Sequence, residues 1–372
     1  MKKRHLIYLL LFLFSCSAED ENKIALYKIE KDRLFGFINK EGKVIIAPQF
    51  HYVSDFSEGL AYARKDSLYG FVNGKGKYVI QFSEKGECLM MELMAVLGMG
   101  PEISNIRFSN GLAVFIDPKA EKYGYLNKQG EFEIAPTFES ALPFSEGLAA
   151  VKLNGKYGYI DDKGKLIIDY QFDKAGNFYC ERAVCLFSKV NKEDFNAISW
   201  NTVVIDKAGS IINSPQGMVQ IGNFSEKIAS KLVAEEQIFN IIKGKYPRGY
   251  TFIDKDLNEI SKYHFDFARN FKQSWAAIKY NGKWGFIKND FETIIDPVYE
   301  NAQSFSDSLA PVKNDGKWGF INMNGEIVIE NKYDSVMMFQ NKLAYVIYEN
   351  HGFKINGYVD KMGKLIWYSE TH

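Results

Sequence analysis

Apolar runs of four to six residues alternate with polar, glycine-bearing breaks along nearly the whole chain, as in LAAVKLNGKYGYIDDKGKLIIDYQF, residues 148 to 172. Within the runs the alternation has a period of two, and the breaks fall every five to eight residues, a rhythm of short strands joined by tight turns. Glycine supplies the positive φ that such turns need, and breaks this frequent exclude a helical repeat. Each unit reads as three strands, the first like LAAVKL, the second like YGYID and the third like LIIDYQF, followed by FSEG or a relic of it.

Aligned on GYIDDKGKLII, the chain repeats itself nine times. The apolar residue before the second turn falls at Ile38, Val72, Leu126, Ile160, Ile205, Ile253, Ile287, Ile321 and Val359, with separations of 34, 54, 34, 45, 48, 34, 34 and 38 residues. A 34-residue unit with insertions at 83–104, 188–200 and 234–248 organises residues 24–372. Asn39, Asn127, Asp161, Asp206, Asp254, Asn322 and Asp360 open the second turn, where a short polar side chain bonds the backbone it bends. A row of calcium ligands is the competing reading. It is disfavoured because Lys288 holds the same place, several members are neutral, and no unit has a concentrated acidic loop.

Aromatic-glycine pairs recur at Phe35-Gly36, Tyr69-Gly70, Tyr123-Gly124, Tyr157-Gly158, Trp284-Gly285 and Trp318-Gly319. The alternation of a strand sends the aromatics to one face and the glycines to the other, where each glycine leaves a slot for a neighbouring aromatic to cover. A second series, Phe56, Phe108, Phe144, Phe178, Phe224, Phe271, Phe305 and Phe339, has the spacing of stacked core positions. The same rows could bind sugars, but packing explains them first.

The segments GKYGYIDDKGKLII, GKWGFIKNDFETIIDPVYENAQSFSDSLAPVK and YGYLNKQGEFEIAPTFESALPFSEGLAAVK resemble the bacterial WG-repeat (KWG) family over residues 24 to 367, most weakly at 186 to 250, where Thr202-Val203 replaces the aromatic-glycine pair. The resemblance implies repeated β units and interaction surfaces, and no shared enzymatic activity. The expected fold is all-β, a tandem array of about nine three-stranded meanders. An open superhelical array is preferred to a closed propeller because no spare strand is visible at either terminus to complete the last unit.

The first residues, MKKRHLIYLLLFLFSC, place a basic head before an apolar run too short to span a bilayer. They read as a signal peptide, 1–15, ending at Cys16 as a lipid-attachment site; the alternative is an ordinary secretory peptide. Residues 16–23 carry Glu19, Asp20 and Glu21, an acidic tether resembling those of outer-membrane surface lipoproteins in Bacteroidetes-type bacteria, with a periplasm-facing anchor as the alternative. Charges balance at 46 against 46, and removing Lys2, Lys3 and Arg4 leaves 43 basic residues. Without a concentrated basic stripe, nucleic acid is excluded as a partner. Cys88, Cys180 and Cys185 have no metal spacing, and Cys180 and Cys185 read as either a disulfide or two buried thiols. The five histidines are scattered, with no catalytic constellation, metal site or cofactor motif.

One segment departs sharply from the repeat. EKGECLMMELMAVLGMGPE, residues 84 to 102, has the composition of a helix from Glu87 to Leu97 that is apolar nearly all round. Leu89, Met90, Met91, Leu93, Met94 and Leu97 read as a gap filler between units or as an adaptable partner contact. The function expected is that of a non-enzymatic envelope lipoprotein whose array binds or scaffolds an envelope protein. A glycan-binding lipoprotein is the alternative, and an enzyme with a site in the insertions is the weakest reading.

Overall fold

The computed structural model describes residues 25–83, 106–117, 119–190, 198–213, 220–233 and 249–371. They form nine small antiparallel sheets in chain order, one for each repeat, here blades 1 to 9. Blade 4 shows the pattern, with strands Ser140–Ala141, Ala149–Leu153, Lys156–Ile160 and Leu166–Phe172 adjacent in sequence order. Its two short turns use Glu146-Gly147, at φ 52° and 87°, and Asn154-Gly155, at φ 50° and 78°. Paired positive φ values match the twist of the flanking strands. At its third turn Asp161 Oδ1 accepts the amides of Lys163 and Lys165, at 3.0 and 2.9 Å.

Asn39, Asn127, Asp206, Asp254, Asn322 and Asp360 do the same in their own blades. Where Lys288 interrupts the series, Asp290 accepts the amides of Glu292 and Thr293 instead. These oxygens are occupied by the turns they bend.

The two-residue leading strand of each full blade, such as Tyr52–Val53, Asn301–Ala302 or Ser335–Val336, is an addition to the three strands legible in the sequence. Blade 1 is a sheet of three, Tyr27–Lys31, Leu34–Ile38 and Val44–Phe50, without it. In blade 6 the pair Ile228–Val233 and Gly249–Asp254 is flanked by the single bridges Ile221↔Lys231 and Ile253↔Glu259.

Alternation gives each blade two unlike faces. In blade 8, Ala310 and Val312 lie on one face against Phe286 and Trp284 of blade 7, while Phe320 and Tyr333 on the other meet Ala344 and Val346 of blade 9. Large side chains of one sheet thus fill the space left by small ones of the next. The FSEG phenylalanine of most blades also packs on an aromatic of the blade before it, while Phe224 of blade 6 packs on Val204. Ring centroids are 4.8 Å apart for Phe71–Phe108 and Tyr125–Phe144, 5.0 Å for Tyr159–Phe178 and 4.9 Å for Phe286–Phe305 and Phe320–Phe339, all tilted or edge-on as ring quadrupoles prefer.

The same interface joins the last blade to the first. Tyr27, Ile29 and Ile38 of blade 1 form one apolar cluster with Leu343, Tyr358, Ile366 and Trp367 of blade 9. Tyr27 donates its hydroxyl to the Asn341 carbonyl, and Tyr358 donates to the Lys28 carbonyl at 2.8 Å. The tandem meander is therefore closed on itself, the propeller-like alternative rather than the open array. Closure requires no shared strand because the two end faces are both apolar and meet directly, Tyr27 and Ile29 against Tyr358 and Trp367.

The glycine of the aromatic-glycine pair has a different neighbour from the one the strand pattern suggested. A Cβ on Gly319 would lie 2.5 Å from the Ile329 oxygen and 2.8 Å from the Asn331 nitrogen; one on Gly285 would lie 2.4 Å from the Ile295 oxygen. The third strand bulges at this point, its register shifting between Trp318 and Phe320, and its backbone enters the slot. Backbone, not a neighbouring aromatic ring, fills the space beside Gly36, Gly124, Gly285 and Gly319. In blade 5, where Val203 replaces the glycine, the described last strand is only Ile211–Asn213.

Candidate binding edges of the ring

The strand order places two kinds of turn on opposite edges of the ring. The FSEG turn and the Asn/Asp turn of a blade lie together at one edge. The turn between its first two long strands, such as Asn154-Gly155, and the exit from its last strand lie at the other.

The FSEG edge is a ladder from blade to blade. Ser57, Ser109, Ser145 and Ser225 donate their hydroxyls to the carbonyls of Phe108, Phe144, Phe178 and Phe271 at 2.6–2.7 Å. The next residue accepts amides of the following turn. Glu146 takes those of Cys180 and Glu181 at 2.6 and 2.9 Å, Glu226 that of Ser274 at 3.0 Å, Gln273 that of Ser308 at 2.9 Å, and Asp307 that of Lys342 at 2.5 Å. Between blades 5 and 6 the carboxylate is replaced by Cys180, whose Sγ accepts the Lys227 amide at 3.4 Å. There the nearly buried Arg182 adds a link, donating to the Lys255 carbonyl at 2.9 Å and pairing with Asp256 at 3.4 Å. At the seam the Tyr27 hydroxyl meets the Asn341 carbonyl of blade 9.

This edge is structural in character, since its turn amides and acidic side chains are spent on one another. A net contribution of about 1 kcal/mol per bond is expected. Ser145→Ala should accordingly lower stability by about 1 kcal/mol in urea denaturation, with its partner carbonyl left to find water. The surface pairs Lys128–Glu58, at 3.1 Å, and Lys207–Glu146, at 3.5 Å, add little.

The opposite edge carries the variation. Chain segments outside the described residues leave the last strand of blade 2 after Ser83, the hairpin of blade 5 between Val190 and Ile198, and the hairpin of blade 6 between Val233 and Gly249. Every one of these departures is at the edge away from the ladder. The hairpin Ala183–Val190 with Ile198–Ile205 is simply lengthened, its pairing running to Val190↔Ile198. Leu89, Met90, Met91, Leu93, Met94 and Leu97 lie outside the described residues, as do Cys16 and the acidic tether.

Of the aromatics that could have formed a sugar-binding row, Tyr123 and Trp284 are 7% and 8% exposed, and Trp318 and Tyr157 are half-buried against the cores of their own junctions. Arg269 lies 5.0 Å above the Trp284 ring, and burial lowers its pKa. Cys180 and Cys185 are separate free thiols. Cys185 is buried beside the Tyr159 hydroxyl at 3.1 Å, and desolvation pushes its thiol up to about 11. Among the described residues no group of three His, Cys, Asp or Glu side chains could hold a metal ion.

The serine and acidic positions of the ladder, and Tyr27 and Tyr358 at the seam, are the important side chains that the sequence alone did not assign. Their signal was present, since a serine and an acidic residue recurring after Phe56, Phe144, Phe224 and Phe305, in a turn needing only positive φ, have a second task.

Among solved structures the chain is similar to apo AztD from Citrobacter koseri, at 12% identity and a TM-score of 0.39, covering 91% of this chain and 92% of that one. It is also similar to PorZ of Porphyromonas gingivalis, at 9% identity and a TM-score of 0.31, over 87% of this chain and 45% of that one. Hsv2p of Kluyveromyces lactis matches at 8% identity and a TM-score of 0.34, over 86% and 97% of the two chains. All three likenesses are loose. No curated protein matches the sequence. The WG containing repeat matches residues 35–69, 123–157, 157–184, 250–284, 284–318 and 318–350, together more than half of the chain. With nine repeats folded as nine like blades, the chain belongs to the WG-repeat family.

Proposed function

We propose that this protein is a non-enzymatic, lipid-anchored envelope protein whose ring scaffolds another envelope protein, docked at the edge opposite the FSEG ladder. The observation that carries the reading is the one-sided distribution of the departures from the repeat. Repeat proteins vary where they bind and stay regular where units are joined. The anchor rests on the lipoprotein-like ending LFSC at Cys16, and an outer-membrane surface location rests on the acidic run after it. Burial of Trp284 and Tyr123 removes the chief support for a glycan-binding reading.

A photo-crosslinking residue placed in the full-length protein at Asn314, exposed beside the turn Asp315-Gly316, should give a discrete adduct with an envelope protein. The same residue at the exposed Asn324 on the ladder edge should not. Adducts from Asn324 alone, or retention on a glycan panel without any protein adduct, would reverse the assignment. Cys16→Ala should move the protein from the membrane to the soluble fraction, checked by lipid labelling and fractionation.

A further inference from the structure

We propose that the anchor fixes the orientation of the ring, with the FSEG ladder edge toward the membrane and the insertion-bearing edge toward the surroundings. This rests on the lipoprotein reading and adds to it a direction. The described chain enters blade 1 at the ladder edge. Tyr27 bonds the Asn341 carbonyl in the FSEG turn of blade 9, a Cβ on Gly74 in the Asn73 turn of blade 2 would lie 3.8 Å from the Leu26 side chain, and Ala25 packs on the seam cluster. All these contacts are with turns or residues at one edge, and from there the first strand, Tyr27–Lys31, runs toward the other.

Length decides how far the ring can turn over. Eight residues, 17 to 24, separate Cys16 from Ala25, and a fully extended segment of that length reaches about 26–29 Å. A blade whose long strands have five to seven residues is about 17–24 Å deep before its turns are added. Laying the insertion edge on the bilayer would demand that the tether run taut along the whole outer wall of blade 1. Laying the ladder edge there leaves it slack, and a slack chain has the larger conformational entropy. The ladder edge also suits that position, because Glu146, Glu226 and Asp307 are held by backbone amides and Lys40, Lys163 and Lys364 are exposed in its Asn/Asp turns.

The test uses full-length lipidated protein in vesicles of neutral phospholipid containing an acceptor-labelled lipid. A donor dye is attached through Met362→Cys, 87% exposed on the ladder edge, or through Asn350→Cys, exposed at the opposite edge of the same blade. Cys88 and Cys180 are replaced by Ser in both. Donor quenching by the labelled lipid should be several-fold stronger at residue 362 than at 350. Inserting twenty Gly/Ser residues after Glu21 should bring the two values together.

Flotation of the protein with the vesicles but equal quenching, or stronger quenching at 350, overturns the orientation while leaving the anchor in place. Failure to float, with no difference from Cys16→Ala, removes the anchor and the orientation with it.

Discussion

Gly285→Ala is expected to cost about 3 kcal/mol, the upper end of the range for changes that force the backbone of a packed element to move. The added methyl would sit 2.4 Å from the Ile295 oxygen and 2.7 Å from the Pro297 nitrogen. Both are backbone atoms of a paired strand, so no side-chain rotation relieves the contact. Relief requires the bulge between Trp284 and Phe286 to open, which would also withdraw Tyr299 from the junction with blade 8, where it is buried. Urea denaturation would show the loss, and hydrogen exchange should localise its onset to blades 7 and 8. A cost below half a kilocalorie per mole would mean that the third strand does not cross the glycine.

Tyr27→Ala should have an effect of the same order, about 3–5 kcal/mol for a buried aromatic. Tyr27 is 6% exposed, lies edge-on to Tyr358 at 5.4 Å and carries a hydrogen bond across the seam. Loosening should begin in blades 1 and 9 and leave blade 4 protected. Tyr27→Phe should retain most of the packing and lose about 1 kcal/mol.

The seam also has a pH signature. Burial, reinforced by Asp307 and Glu41, raises the Tyr27 pKa from 10.0 to about 12. The neutral phenol is thus favoured by the folded state, so its contribution is complete below pH 10 and is lost as pH rises through about 12. Alkaline titration of wild type and Tyr27→Phe, followed by tyrosinate absorbance and exchange at blades 1 and 9, should separate in that window.

How much of this was legible in the sequence depended on whether a residue acts within its own unit. Asp161 and Gly164 bend their own turn, and Tyr159 alternates with Gly158 on its own strand, so their roles follow from local periodicity and turn chemistry. The purpose of Gly158 does not, because its Cβ would strike the Ile168 oxygen ten residues later through a bulge that alternation cannot announce. The short leading strands, two residues each, leave too little pattern to be seen. Closure was misread for a related reason. A spare strand is a feature of the chain and can be looked for, whereas the fit of Tyr27 and Ile38 to Leu343 and Trp367 is a relation between faces. It becomes visible only once the faces have been drawn.

A ring closed by contact alone also has a fixed order of events during synthesis. Blade 1 leaves the ribosome first, and its outer face, with Tyr27, Ile29 and Ile38, has no mate until Leu343 and Tyr358 have been made, more than three hundred residues later. At ordinary elongation rates that interval lasts about 15–60 s. During it every growing arc has one apolar end shaped to fit the last blade of another finished chain as well as its own. Joining its own end is the faster event at low concentration, and joining a neighbour's is favoured by crowding nascent chains together. The yield of closed monomer should therefore fall with the level of expression, even though nothing in the finished ring has changed.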